Sequence, residues 1–166
     1  MLKKYLAVFF ISMVPLIELR GAIPVATAWG LMSTENIPHL VMVYALCIVG
    51  NMLPVPIIFL FARKFLEWGA DKKFIGKICT FFLTKGSAAG KKLEAKAGRG
   101  LFVALLLFVG IPLPGTGAWT GTLAASLLDM KFKDTVIAVT LGVLLAGIIM
   151  LLASLGVLGA VGALIS

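Results

Sequence analysis

Apolar residues fill this chain in four long stretches, and the places where the pattern fails carry most of its information. The first stretch, 5–31, is interrupted at Pro15-Leu16-Ile17-Glu18-Leu19-Arg20-Gly21-Ala22-Ile23-Pro24. Each proline removes a backbone donor and obstructs the turn before it, and Gly21 lets the chain reverse. The apolar arms on either side are about ten residues long. At about 1.5 Å per residue, each covers only about half of a hydrocarbon core about 30 Å thick. The predicted element is a broken helix whose bend, marked by Pro15, Gly21 and Pro24, carries Glu18 and Arg20 at membrane depth. A polar turn, 33–38, ends on Pro38, which is well placed to begin a helix. The second stretch, 39–65, has about 27 apolar-rich residues where about 20 suffice to span, so tilt or a kink is expected. Gly50-Asn51 and Pro54-Val55-Pro56 break its regularity, and Asn51 must find a partner inside a bundle.

The third stretch, 101–128, is broken at Pro112-Leu113-Pro114-Gly115-Thr116-Gly117. After a charged turn, 129–134, a final run of about 31 residues, 135–165, is crossed by Gly142, Gly147, Gly156, Gly159 and Gly162. Small residues let helix backbones approach closely. They form a packing face within the chain or between two protomers, which leaves a homodimer open.

The two halves therefore follow one plan: an apolar start, a break, a short second arm, a polar turn and a long helix. Pro15-Leu16 aligns with Pro112-Leu113 and Gly21-Ala22 with Gly117-Ala118, with one residue fewer in the second bend. Gly50 then falls opposite Ala146-Gly147. Broken segments at corresponding places in two halves point to a transporter site. Crossing parity sets their orientation. Spanning breaks make the halves parallel, and re-entrant breaks make them inverted, with two hairpins dipping toward each other from opposite faces. The short arms favour the second arrangement.

Composition fixes the class. Of 166 residues, 61% are apolar and 13% charged, with a mean hydropathy of +1.11, against an apolar share of about 45–50% in soluble domains. The fold class expected is an all-α polytopic membrane protein forming one domain, 1–166. Its first repeat covers about 5–62, a connector about 63–99, and the second repeat about 100–166. The net charge of +8 sits mostly in that connector: ten Lys and Arg against Glu67, Asp71 and Glu94. This is the signature of a segment held in the cytoplasm beside a prokaryotic inner membrane, not of a nucleic-acid partner. Lys131 and Lys133 share its side, and Lys3 and Lys4 then lie outside. Within the connector, Phe74, Ile75, Ile78, Phe81 and Phe82 recur at helical spacing among lysines. They fit an amphipathic helix either on the anionic leaflet or under the bundle.

Lys3-Lys4, the apolar run and Ala26-Thr27-Ala28 mimic a signal peptide. Glu18, Arg20 and the prolines intervene, so the segment is read as mature protein. Cys47 and Cys79 fall in different environments and are expected to be inert thiols, with no metal site. His39 is read as interfacial.

Ionised groups at the bilayer centre cost about 2.5–3.5 kcal/mol each even on the lenient scale, so Glu18 and Arg20 must face protein or water. Glu18 is the candidate proton carrier, with Arg20 tuning its titration; the alternative is a structural ion pair. Gly115, Thr116 and Gly117 precede a half-helix whose free N–H groups suit an anion. With Arg20 reaching over, an anionic headgroup would fit between the hairpins, unless the glycines serve only the turn. Thr120 and Asn51 are supporting polar groups. No P-loop lysine, nucleophile elbow or zinc spacing is present, so the chain is read as a non-enzyme without cofactors.

The segments Phe10-Ile11-Ser12-Met13-Val14-Pro15-Leu16-Ile17-Glu18-Leu19-Arg20-Gly21-Ala22-Ile23-Pro24 and Gly110-Ile111-Pro112-Leu113-Pro114-Gly115-Thr116-Gly117-Ala118-Trp119 resemble the small multidrug export family of bacterial and archaeal membrane proteins. The resemblance covers nearly the whole chain and implies export of small molecules. The layout is more distantly similar to the DedA superfamily, in which opposed re-entrant hairpins carry acidic and arginine residues. Some of its members are implicated in moving undecaprenyl phosphate with proton coupling. Those proteins place an arginine in the second hairpin, where this chain has Thr116, Thr120 and Thr122.

The expectation is therefore a small proton-coupled transporter in the lipid bilayer, with a small amphiphilic or anionic lipid-like substrate held between the hairpins. The rival expectations are a DedA-like lipid-carrier translocase and a non-transporting assembly or lipid-organising factor.

Overall fold

The computed structural model describes residues 2–72, 76–77, 79–81, 84, 100–113 and 115–165, with the backbone alone at 63, 66 and 157–165. Pro114 and most of the basic connector, including Phe74, Ile75, Ile78 and Phe82, lie outside the described residues. Those described form helices and turns, with no strand among them. The order is α1 (Leu2–Met13), α2 (Glu18–Ala28), α3 (Ile37–Met52), α4 (Pro54–Ala70), α5 (Gly100–Gly110), α6 (Ala118–Leu127) and α7 (Phe132–Ile165).

Proline placement explains most of the boundaries. Asn36 caps α3 by accepting the His39 N–H at 3.1 Å, and Pro38 occupies the first turn, where its missing donor costs nothing. Leu53 keeps helical angles and bonds to the Val49 carbonyl at 3.0 Å. Pro54 and Pro56 supply no donors to the first and third bonds that would follow in that ladder, yet α3 and α4 run on as one helix bent at the prolines, Ile37–Ala70. That 34-residue span and the 25-residue span Phe132–Gly156, whose 18-residue apolar windows have mean hydropathies of 2.2 and 2.8, are long and apolar enough to cross a membrane. At about 1.5 Å per residue the first is about 51 Å long, so its ends project beyond a core about 30 Å thick.

Side-chain contacts give the running directions. Lys4 at the start of α1 donates to the Trp29 carbonyl just past the end of α2, at 3.3 Å. The α1–α2 hairpin therefore opens where it began. α1 runs parallel to α3: Tyr5 and His39 share a hydrogen bond of 2.7 Å, and Ser12 and Phe9 lie against Gly50. α7 runs antiparallel to the bent helix. The Tyr44 hydroxyl donates to the Leu144 carbonyl at 2.8 Å, Thr140 donates to Met52 Sδ, and the Phe59 and Phe132 rings meet edge-on at 5.3 Å.

The second half repeats these relations. α5 packs along α7 with Leu106 and Val109 against Gly142, as α1 packs along α3 with Phe9 and Ser12 against Gly50. The second arms cross over: α2 lies against α7, and α6 against α4. Both arms end alike. Leu31 N–H bonds the Ala26 carbonyl and Gly30 N–H the Thr27 carbonyl; Met130 and Asp129 do the same with Ala125 and Ser126. This is a Schellman closure with a left-handed residue, Gly30 (φ 71°) or Asp129 (φ 62°).

The register of the halves differs from the one drawn on glycines. Left-handed residues fall at Leu16 (φ 70°) and Glu18 (φ 51°) in the first break and at Gly115 (φ 81°) and Gly117 (φ 148°) in the second. Glu18, not Gly21, is thus the counterpart of Gly117, and the second bend is longer rather than shorter. Gly21 and Pro24 are not at the bend at all, since both lie inside α2. Pro24 merely leaves the Arg20 carbonyl without its usual helical donor, and a helix tolerates one such loss when neighbours pack around it. Gly50 corresponds by contact to Gly142, not to Ala146-Gly147. The turn into the long helix is shorter in the second half, 128–131 against 29–36, so counting along the sequence overshoots by about one helical turn.

Candidate functional site

The two breaks meet and are tied to each other by their polar groups. Glu18 is the first residue of α2 and is only 4% exposed. Its Oε2 accepts the Ala118 N–H at 3.1 Å and its Oε1 the Trp119 N–H at 3.0 Å. The carboxylate of one half thus caps the first helical turn of the other. Such a helix start carries unpaired donors and partial positive charge, so a buried anion is stabilised there. Gly117 makes the approach possible: a methyl built on it would overlap Glu18 Oε2 and lie 2.7 Å from Oε1.

Three further hydrogen bonds cross the junction. Arg20 donates from Nη1 to the Leu113 carbonyl and from Nη2 to Thr116 Oγ1 at 2.8 Å. The Thr116 hydroxyl lies 2.9 Å from both the Ile111 and the Leu113 carbonyl, so one threonine ties together the turn that Arg20 holds. In return, the Trp119 indole N–H donates to the Met13 carbonyl at 3.2 Å, satisfying the open end of α1. Each break thereby satisfies backbone groups that the other leaves bare.

Glu18 and Arg20 therefore turn to different partners in the opposite break rather than to each other. The helix start read as a seat for an anion holds the chain's own carboxylate. Pro15, Pro112, Gly115, Thr116 and Gly117 lie in the breaks, as their sequence suggests. Among the described residues, the structure brings no polar partner to Asn51 Oδ1. The residue is 2% exposed, and the buried hydroxyl oxygens of Thr120, Thr122 and Thr135 are likewise unbonded. Cys47 and Cys79 are free thiols, both buried.

Sequence reasoning passed over Trp119 as a member of the site. The signal was an indole, apolar with one donor, directly after a glycine break in an otherwise aliphatic run. Its ring also forms a wall of a groove of about 690 Å³ between α4 and α6, bounded by Met13 and Leu16 on one side and Pro54, Ile57 and Leu123 on the other. None of the described residues that line it is charged.

The described residues form helices and turns, two spans among them are long and apolar enough to cross a bilayer, large apolar side chains face outward, and a carboxylate is buried where the two breaks meet: this is a membrane protein. It belongs to the family described as "putative small multi-drug export protein", whose model matches residues 18–149, from Glu18 of the first break to well inside α7. No curated protein and no solved structure matches the chain.

Proposed function

We propose that this protein is a small proton-coupled exporter of amphiphilic molecules, built from two inverted repeats whose hairpins re-enter the membrane from opposite faces. It works without covalent chemistry or a cofactor. The observation that carries the reading is Glu18, buried between the two breaks on the N–H groups of Ala118 and Trp119. A carboxylate there is the one group in the junction that can take up and release a proton. Protonation weakens its hold on a helix start that favours negative charge, which loosens one hairpin from the other. Family membership supports the cargo class. The inverted arrangement is supported by the first hairpin opening beside the start of α3, while the α6–α7 turn lies at the far end of α4, where Asp129 and Met130 neighbour Lys64 and Glu67. The positive-inside rule then sets the basic connector, with Lys131 and Lys133, on the cytoplasmic face of a prokaryotic inner membrane.

Glu18→Gln tests the reading in proteoliposomes carrying an imposed pH gradient. The expected result is loss of substrate-dependent proton flux with the protein still folded, because an amide fills the same space but is not an acid. Unchanged flux would remove Glu18 from coupling. A second reading is favoured by one specific observation: both carboxylate oxygens of Glu18 and both terminal nitrogens of Arg20 already have internal partners. That suits a static brace in a membrane factor that moves nothing. Such a factor would show no substrate-dependent flux even as wild type. The DedA-like reading would have an anionic headgroup displace Glu18 from the α6 start.

A further inference from the structure

The groove between α4 and α6 differs in chemistry from the junction beside it. It starts at the breaks, where Met13, Leu16 and Trp119 meet Pro54 at the bend of the long helix, and runs along Ile57 and Leu123. Its volume of about 690 Å³ lies within the range of about 300–1,000 Å³ of small-molecule sites. Among the described residues its lining carries no charge and one hydroxyl, that of Thr120, whose Oγ1 is turned inward and buried without a partner, so that rotation of the side chain brings it to the groove. A buried hydroxyl in that state gains from a ligand that offers it a hydrogen bond. Lining of this kind selects a body that is apolar and uncharged, with a single small polar group.

One residue belongs to both places. The Trp119 ring walls the groove, its backbone N–H holds Glu18 Oε1 at 3.0 Å, and its indole N–H holds the end of α1 at 3.2 Å. A ligand that presses on this ring acts on two of the ties that fasten the breaks together.

We propose that the α4–α6 groove takes the apolar, uncharged body of an amphiphile entering sideways from the lipid, and that Trp119 links its occupancy to Glu18. This rests on the exporter reading for its biological sense, but the binding site is tested separately from transport. The probe is a brominated long-chain alcohol, added to full-length protein in phosphatidylcholine vesicles. Trp119 is left as the sole tryptophan by Trp29→Phe and Trp68→Phe, and bromine quenches its fluorescence at close range. The expected result is saturable quenching, weakened at least about tenfold in a groove-filling Ala62→Phe/Leu123→Phe variant whose thermal midpoint matches the parent. Thr120→Val should weaken the alcohol about threefold to tenfold and leave the matching brominated hydrocarbon unaffected. Glu18→Gln should shift the alcohol's affinity by a similar factor.

Quenching that rises linearly with probe and ignores the filled groove would overturn the site, leaving only partition into the bilayer. Quenching by brominated phosphatidylcholine that the plain alcohol fails to displace would overturn it in favour of a bound lipid. Saturable binding indifferent to Glu18→Gln would overturn the link through Trp119. Binding with no proton flux would sink the exporter reading and leave the site standing; flux without binding would do the reverse.

Discussion

Gly117 is the residue on which the junction turns. It needs a φ of 148° that side chains rarely adopt, and it leaves room for a carboxylate that a methyl would strike. Gly117→Val should therefore cost about 2–4 kcal/mol, read as a fall in thermal midpoint in detergent together with lost transport. A midpoint within a degree of wild type would mean that the carboxylate sits elsewhere. Much of this was legible in residues: an acid and a base between prolines in an apolar run have no place in a plain span. What misled was the use of glycine as a marker of the bend. In the first break the left-handed positions fall to Leu16 and Glu18, residue types that give no warning, and the strain at Glu18 is borne because burial and its bonds to the Ala118 and Trp119 N–H groups hold it. Asn51 misled differently. Sequence implies that a buried amide has a partner, but its Oδ1 has none among the described residues.

Between elements, two glycines do the same task in the two halves. A methyl on Gly50 would run into Ser12 Oγ and come within 2.7 Å of the Phe9 carbonyl oxygen, and one on Gly142 would lie 2.7 Å from Val109 Cβ and 2.8 Å from the Leu106 carbonyl oxygen. Backbone oxygens do not step aside, so α1 and α5 would have to back away. Gly50→Ala and Gly142→Ala should each destabilise by about 1–3 kcal/mol. Gly156→Ala, where nothing lies within 4 Å, should be neutral or gain up to about 1 kcal/mol from helix propensity. Equal midpoints for all three would refute close helix packing at the first two. The helices themselves were readable from apolar length and proline position. The crossing of α2 onto α7 and of α6 onto α4 was not, because both faces of each short arm are apolar and no periodicity names the partner.

At the scale of the whole molecule, the ends of the bent helix lie on opposite sides of the bilayer in the reading adopted here. Glu35→Cys, in the turn before α3, should react with a membrane-impermeant maleimide added outside intact cells. Lys131→Cys, in the turn before α7, should react only after the cells are opened. Both positions are exposed, and the native thiols are buried and quiet. Labelling of both from one side would make the halves parallel and remove the opposed hairpins. The charge asymmetry that predicts this outcome was plain in the sequence, since the connector holds most of the excess of Lys and Arg.

The exchange of short arms also bears on ancestry. A chain of half this length would leave its second arm with no long helix to lie on, and its break with bare donors inside oil. In the inverted arrangement proposed here, the other half supplies both. Under that proposal, such a plan is what gene duplication and fusion would make of an ancestral pair of identical subunits with opposite topologies. Expressed today as two separate pieces, the halves should be degraded when made alone and accumulate when made together.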